Sequence, residues 1–177
     1  CIGLLTYQTW NKNLKRNPET VFLVRENVTF EEMPELIKAR ATTLKKAGVK
    51  PGDVVGLLSH NLPEFPITLF AIWYLGGTVL LLDTNLTPVE YDNMTERTGC
   101  KLVCAEKSFF YKSKNFEFFD IQTKDEDTDA KLKPYPLKDK DIATLSFTSG
   151  STGQPKIVPL SHFNLVSCSD NLEYLNQ

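Results

Sequence analysis

The sequence predicts an α/β domain whose mostly parallel sheet is covered by helices on both faces. Short apolar runs alternate with helical patterns of about a dozen residues, most clearly between Asp53 and Ala105. Gly and Pro residues separate these segments, as at Pro51-Gly52 and Gly76-Gly77. A chain of 177 residues is long enough to bury one hydrophobic core. We therefore expect a single α/β domain that spans residues 1–177.

The N-terminal part predicts one short helix followed by two short strands. Trp10 and Leu14 are four residues apart, which puts them on one face of a helix from Tyr7 to Arg16. The apolar residues 21–24 predict a strand, and a second, briefer strand is expected around Val28.

A second helix is expected after these strands. Thr29 and Glu32 have the spacing of a capping box for a helix that begins at the residue after Thr29. Pro34 conflicts with that start, because its ring removes an intrahelical hydrogen bond, so the helix is expected to begin nearer Glu31 with Pro34 in its first turn. Gly48 is the predicted stop signal.

The central part predicts a buried strand at residues 53–58 and then a long uncharged stretch. Residues 65–82 carry no charge, which is close to the length of a membrane-spanning helix. Pro66 near one end and Gly76-Gly77 near the other favour a buried helix that ends at Leu75, followed by a strand at residues 78–82. We therefore expect no transmembrane segment.

The next segment predicts a capped helix and a strand. Thr87 is the expected cap of a helix that starts at Pro88 and runs through Arg97. Gly99 is expected to end this helix, and residues 101–105 predict a strand.

Residues 107–141 are less regular. One strand is expected in either the aromatic run 109–111 or the aromatic run 116–119. Residues 124–140 are rich in charge and contain two prolines, which indicates a surface connection without a function of its own.

Composition excludes several classes of function. The net charge of −2 gives no basis for binding nucleic acid or an anionic membrane. Cys1, Cys100, Cys104 and Cys168 lack the spacing of a metal site, so we expect free thiols in a reducing compartment, the cytoplasm. No metal site is predicted within the chain.

The titratable residues do not form a recognisable catalytic group in the sequence. His60 follows a predicted strand and His162 follows the predicted helix cap Ser161, and neither is near a plausible nucleophile. A hydrolase triad is therefore unsupported. The carboxylates Asp53, Asp83 and Glu64, which stand in loops or at helix starts, are interpreted as turn or cap residues.

One loop carries the strongest functional signal. An apolar strand at residues 142–147 is followed by a run of Ser, Thr and Gly, then by Lys156 and a second apolar run. Gly150 and Gly153 allow positive φ, so the backbone can curl and direct several N–H groups at an anion. Hydroxyl donors and a lysine suit the phosphates of a nucleotide. The candidate binding residues are Thr148, Ser149, Gly150, Ser151, Thr152, Gly153 and Lys156.

Three other interpretations of this loop compete with phosphate binding. A flexible linker would not be flanked by two strands or end on Pro155 and a lysine. A β-hairpin turn is disfavoured, because most hairpins turn in two residues. A Walker loop requires Gly-Lys-Ser/Thr, whereas Gln154 and Pro155 here separate Gly153 from Lys156, and Ile157 replaces the magnesium-binding hydroxyl. Phosphate binding is the favoured interpretation.

These residues also carry a family resemblance. The string from Phe147 to Lys156, FTSGSTGQPK, resembles the signature of the adenylate-forming (AMP-binding) superfamily, which includes acyl-CoA synthetases, peptide-synthetase adenylation domains and luciferase. The continuation at residues 160–165 is similar to the family's usual sequence. Gly76-Gly77, with the apolar strand after it and the helix after Pro88, resembles a second family stretch. The family commonly has Gly after the lysine, where this chain has Ile157.

The resemblance implies a fold and a reaction. The chain would be part of the large N-terminal domain of adenylate-forming enzymes. A carboxylate would attack the α-phosphate of ATP to give an acyl-adenylate and pyrophosphate, and a thiol such as coenzyme A would then take the acyl group. The loop would hold the β- and γ-phosphates, and Lys156 would neutralise charge as pyrophosphate leaves. Adenylation of a carrier protein and a non-catalytic nucleotide-binding module remain alternatives.

The resemblance also implies that further parts are required. The chain starts at Cys1 without Met and stops at Gln177 inside a helical pattern, so we expect a piece of a longer protein. The Mg²⁺ ligands, the acid pocket and the small C-terminal domain are expected beyond Gln177. We therefore expect this chain to be inactive on its own, with the remainder of the parent chain as its partner.

Overall fold

The computed structural model describes residues 21–23, 28–29, 33–148 and 154–164. Over these ranges the chain forms eight strands, three α-helices and a short 3₁₀ helix at Lys107–Phe109. In chain order the strands and α-helices are β1 Val21–Leu23, β2 Val28–Thr29, α1 Met33–Lys46, β3 Val54–Leu58, α2 Glu64–Tyr74, β4 Thr78–Leu81, α3 Pro88–Thr98, β5 Leu102–Ala105, β6 Glu117–Asp120, β7 Ile142–Thr148 and β8 Lys156–Ser161.

A six-stranded sheet forms the centre of the described structure, with the strand order β6-β5-β3-β4-β7-β8. Every neighbouring pair from β6 to β7 is parallel, and only β8 runs antiparallel to its neighbour β7. β1 and β2 pair separately as a two-stranded antiparallel sheet. The predicted mostly parallel α/β sheet is confirmed.

Helices cover both faces of this sheet, because the helices that connect its parallel strands pack on one face or the other. One core cluster joins α1 and α2 to the sheet and includes Leu44, Ile72 and Leu57. The other joins α3 to the opposite face and includes Met94 and Leu80. The central strands β3, β4 and β5 are therefore buried between two apolar layers, as their near-continuous apolar sequences predict.

The uncharged stretch from residue 65 to residue 82 divides into α2 and β4, as predicted. The helix stops because Gly76 adopts a φ of +82° and the N–H of Gly77 returns to the carbonyl oxygen of Ile72 at 2.9 Å. In the part of the chain that the structure describes, no helix has the length and apolar character needed to cross a membrane.

Replacing Gly76 with Ala should lower the free energy of unfolding by about 2–4 kcal/mol. A Cβ at this position would lie 2.6 Å from Cγ of Tyr135, and the left-handed backbone would be strained as well. Gly52→Ala is the matched control: its φ is +86°, but nothing lies within 4 Å of the added Cβ. Urea unfolding should show a loss about 1–3 kcal/mol larger for Gly76 than for Gly52. Equal losses of unfolding free energy in the two variants would mean that the Tyr135 ring moves away from the added Cβ without cost.

The helix after Thr87 was predicted almost residue by residue. The Thr87 hydroxyl accepts from the N–H of Glu90, and the Glu90 carboxylate accepts from the N–H of Thr87, so a capping box starts α3 at Pro88. Gly99 ends it with a φ of 70°. Each of these signals acts on residues no more than four positions away in the chain, which is why the sequence reveals it.

The predicted capping box at the start of α1 is not described in full. Thr29 lies in β2 and pairs with Val21, and residues 30–32, where the helix was expected to start, lie outside the described residues. α1 is described from Met33, with Pro34 in its first turn as expected, and Gly48 follows its end with a φ of 105°. The expected helix from Tyr7 to Arg16 lies outside the described residues.

Residues 124–140 are irregular, as predicted, but they are more than a surface connection. Leu132 and Leu137 are buried in the core beneath α1 and α2. The hydroxyl of Tyr74 donates to the carbonyl oxygen of Leu132 at 2.9 Å, and the N–H of Tyr135 donates to the carbonyl oxygen of Tyr74 at 2.8 Å. The leucines anchor the segment, because burying their side chains offsets the cost of ordering it. Of the two aromatic runs, the second forms the strand, β6.

Candidate functional site

The candidate loop joins β7 to β8, and these strands form a β-hairpin. Thr148 at the end of β7 pairs with Lys156 at the start of β8, and Phe147 pairs with Ile157. The prediction that this loop is not a hairpin connection is therefore wrong, because residues 149–155 join two paired antiparallel strands. Residues 149–153, with the candidates Ser149, Gly150, Ser151, Thr152 and Gly153, lie outside the described part of the structure.

The hairpin places this loop at the carboxyl edge of the parallel sheet. β7 is parallel to β4, so Thr148 and the end of β4 lie on the same edge. The chain leaves β3 into α2 on one face and leaves β4 into α3 on the other. In open α/β sheets such a reversal opens a crevice at the carboxyl ends of the strands, where ligands bind.

A cavity of about 640 Å³ lies beside the hairpin at this edge. Its walls come from the end of β4 with Asp83, from Met94 of α3, and from Phe147, Thr148 and Pro155 of the hairpin. This volume falls within the range of small-molecule sites, and the mixture of apolar wall and polar rim is typical of them.

The acidic groups at this rim already accept hydrogen bonds from backbone N–H groups. Asp83 accepts from the N–H of Asn85 at 2.9 Å, and the Glu90 carboxylate belongs to the capping box of α3. Asp83 is thus the turn carboxylate that the sequence predicts. Across the described ranges, no group of three or more His, Cys, Asp or Glu side chains has the arrangement of a metal site.

Lys156 is the basic candidate of the hairpin. It is exposed, and within the described ranges its ammonium group has no ion pair or hydrogen bond. A flexible, uncommitted cation paired across the hairpin from the Thr148 hydroxyl suits a phosphate group. The chemistry of these two side chains therefore fits a nucleotide phosphate.

Sequence reasoning missed one residue at this hairpin, Arg97 of α3. Its Nη1 donates to the carbonyl oxygen of Pro155 at 2.7 Å, and its Cζ lies 5.2 Å from the centre of the Phe147 ring. In the sequence it is only the basic residue in the last turn of a helix, 58 residues before Pro155. No local signal connects the two positions.

A second polar pair occupies the carboxyl edge farther along the sheet. Nδ1 of His60 lies 2.7 Å from Oε2 of Glu106, after the ends of β3 and β5. The imidazole is 63% exposed and lies against the ring of Phe109. Cys100 and Cys104 do not supply a nucleophile, because both thiols are buried and burial raises their pKa values to about 11 and about 12. They are free, as expected.

His162 is far from the loop. It follows β8, whose end lies at the opposite, amino edge of the sheet, and its buried ring packs edge-to-face on Trp73 at 5.3 Å. Neither ring nitrogen has a partner in the described structure. Burial lowers the pKa of His162 to about 4 although Asp141 opposes the shift. Ser161 caps the helical residues 162–164 through Asn164, as predicted.

Most of the chain is similar to known proteins. Residues 10–176 match the family model described as AMP-binding enzyme. The chain is 29% identical to 2-succinylbenzoate–CoA ligase of Bacillus licheniformis, over 96% of its length and 38% of that ligase. It is 29% identical to gramicidin S synthase 2 of Aneurinibacillus migulanus, over 85% of its length but 3% of that protein. A solved structure of o-succinylbenzoate CoA synthetase from Bacillus subtilis matches 92% of this chain and 36% of its own, with a TM-score of 0.79 and 27% identity.

Proposed function

Because this chain belongs to the AMP-binding enzyme family, we propose that the whole protein activates a carboxylic acid with ATP and transfers the acyl group to a thiol. The observation that carries this proposal is the pairing of Thr148 with Lys156 beside a cavity at the carboxyl edge of the sheet. A hydroxyl donor and an uncommitted cation then stand at the two ends of a loop rich in Ser, Thr and Gly.

In the proposed reaction the carboxylate oxygen attacks the α-phosphorus of ATP and the bond to the pyrophosphate oxygen breaks. Residues 148–153 hold the β- and γ-phosphates with N–H and hydroxyl donors, and the ammonium group of Lys156 stabilises charge on the departing pyrophosphate. Mg²⁺ would neutralise further phosphate charge, and its ligands are expected outside residues 1–177. Positioning and charge stabilisation supply most of the catalysis in such a step.

The chain spans 3% to 38% of the first relatives that it matches. We interpret residues 1–177 as the N-terminal portion of an AMP-binding domain. The isolated chain is expected to give no ATP–pyrophosphate exchange, because most of the site is contributed by other parts of the whole protein. Exchange by the isolated chain above the rate of a no-enzyme blank would contradict this interpretation.

The proposed acceptor is coenzyme A. The support is the resemblance to 2-succinylbenzoate–CoA ligase, which extends over nearly the whole chain. Gramicidin S synthase 2 matches a similar share of the chain, so a carrier-bound thiol is the competing acceptor. Acyl transfer to free coenzyme A by the whole protein would support the proposal, whereas transfer only to a phosphopantetheinylated carrier protein would overturn it.

Lys156→Ala in the whole protein should lower kcat for ATP–pyrophosphate exchange by roughly 100-fold, because one preorganised charge on the leaving group is lost. Lys101→Ala is the control, since Lys101 is exposed just before β5 at the opposite edge of the sheet. It should leave the exchange rate within about twofold. Nucleotide binding without any exchange by the wild-type protein would instead indicate a non-catalytic module.

A further inference from the structure

Arg97 of α3 contacts the hairpin on both sides of the loop. Its guanidinium lies over the ring of Phe147 in β7 and donates to the carbonyl oxygen of Pro155, the residue directly before β8. Phe147 directly precedes Thr148, and Pro155 directly precedes Lys156. One side chain therefore holds the hairpin immediately before each of the two paired residues that flank the loop.

The hydrogen bond holds a particular peptide group. The carbonyl of Pro155 and the N–H of Lys156 belong to one planar unit, so fixing the carbonyl oxygen at 2.7 Å also fixes the direction in which the Lys156 backbone starts. Within the described ranges no carboxylate pairs with Arg97. No competing partner therefore draws its guanidinium away from the carbonyl oxygen of Pro155.

α3 is anchored by its cap and its buried side chains, whereas β8 is an edge strand of the described sheet. The helix is capped at Thr87 and buries Tyr91 and Met94 against the sheet. β8 pairs only with β7 among the described strands, and Ile157 and Leu160 on it are 37% and 36% exposed. The loop end of the hairpin is thus held by its own ladder and by the contact with Arg97.

We propose that Arg97 is a positioning residue that orients Lys156 toward the phosphates of ATP. This inference rests on the proposed function of the loop and adds a residue of α3 to the site. Arg97 acts through the Pro155–Lys156 peptide, because its bond ends on that carbonyl oxygen. The aromatic contact keeps the guanidinium in place, since a planar cation stacks well on a ring.

The test uses a double-mutant cycle in the whole protein. Arg97→Met keeps the apolar stem but removes every donor, and it should lower kcat for ATP–pyrophosphate exchange roughly tenfold, a part of the loss expected for Lys156→Ala, while KM for the acid stays unchanged. Arg97→Met combined with Lys156→Ala should give a kcat no lower than that of Lys156→Ala alone, because Arg97 acts through the lysine. Arg97→Gln retains a donor for the carbonyl and should recover most of the loss. Lys45→Met, in the last turn of α1, is the matched control and should change neither value.

The outcomes separate this inference from the proposal on which it rests. Additive effects of Arg97→Met and Lys156→Ala on kcat, or a kcat within twofold of wild type in Arg97→Met, would overturn the inference and leave the loop's function intact. An unchanged KM and kcat in Lys156→Ala would overturn the loop's function first. Amide hydrogen exchange at residues 154–158 without nucleotide gives an independent readout: faster exchange in Arg97→Met supports the contact, and unchanged exchange contradicts it.

Discussion

Replacing Arg40 with Met should lower the free energy of unfolding by about 3–5 kcal/mol, the cost typical of breaking a buried, hydrogen-bonded ion pair. Arg40 is only 2% exposed, and its Nε lies 3.1 Å from the Asp125 carboxylate. Nη1 donates to the Thr68 hydroxyl and to the carbonyl oxygen of Ile121, and Nη2 donates to the carbonyl oxygen of Thr123. Met fills a similar volume but supplies none of these hydrogen bonds.

The loss of stability in Arg40→Met should be concentrated in the connection that follows β6. Arg40 in α1 holds residues 121–125, and the Thr43 hydroxyl adds a second bond to Asp125 at 2.6 Å. The Asp125 carboxylate is only 14% exposed, and without Arg40 it would keep only that hydroxyl among these partners. Amide exchange in residues 121–132 should therefore accelerate more than exchange in the sheet.

Lys46→Met provides the matched control in the same helix. Lys46 also bonds to an aspartate of this connection, Asp127 at 3.2 Å, but the two side chains are 64% and 76% exposed. Exposed pairs of this kind contribute about 0–1 kcal/mol, so urea unfolding should show little change. Equal losses for Arg40→Met and Lys46→Met would show that burial does not govern the strength of these pairs.

The second large expected effect is a loss of stability in acid that depends on His162. Its ordinary pKa is 6.5, and burial against Trp73 lowers the pKa to about 4 in the folded chain. Between these two values the unfolded chain binds the proton and the folded chain does not, so protonation favours unfolding. The contribution of the neutral His162 ring to the free energy of unfolding is about 3 kcal/mol. It is fully present above pH 6.5 and is lost as the pH falls toward 4.

Comparison of the two histidines isolates this effect. His162→Phe replaces a buried neutral ring by an apolar one and should remove the corresponding part of the slope of unfolding free energy against pH between 6.5 and 4. His60→Gln removes the other histidine of the chain, whose side chain is 63% exposed, and should keep that part of the slope. If the slopes of wild type and His162→Phe coincide, the folded chain protonates His162 without cost.

The sequence identified the two residues at the ends of the candidate loop but not the contacts that hold them in place. Thr148 and Lys156 were both named from the loop composition, and the structure pairs them directly. The hairpin itself was rejected, because turn statistics describe short connections and carry no information on which strands pair. Arg97 and the partnership of His60 with Glu106 were also missed, since these contacts join residues 58 and 46 positions apart.

The sequence by itself determined the alternation of strands and helices, the capped ends of α3, the break at Gly76 and the family of the loop. Each of these depends on periodicity or on backbone preferences that act within a few residues. Tertiary structure alone decided that β8 joins the sheet antiparallel and that Arg40 fastens a segment 85 residues away. It also decided that the buried ring nitrogens of His162 have no hydrogen-bond partner among the described residues. These features follow from packing between distant segments, where burial and desolvation set the energies and no local pattern records them.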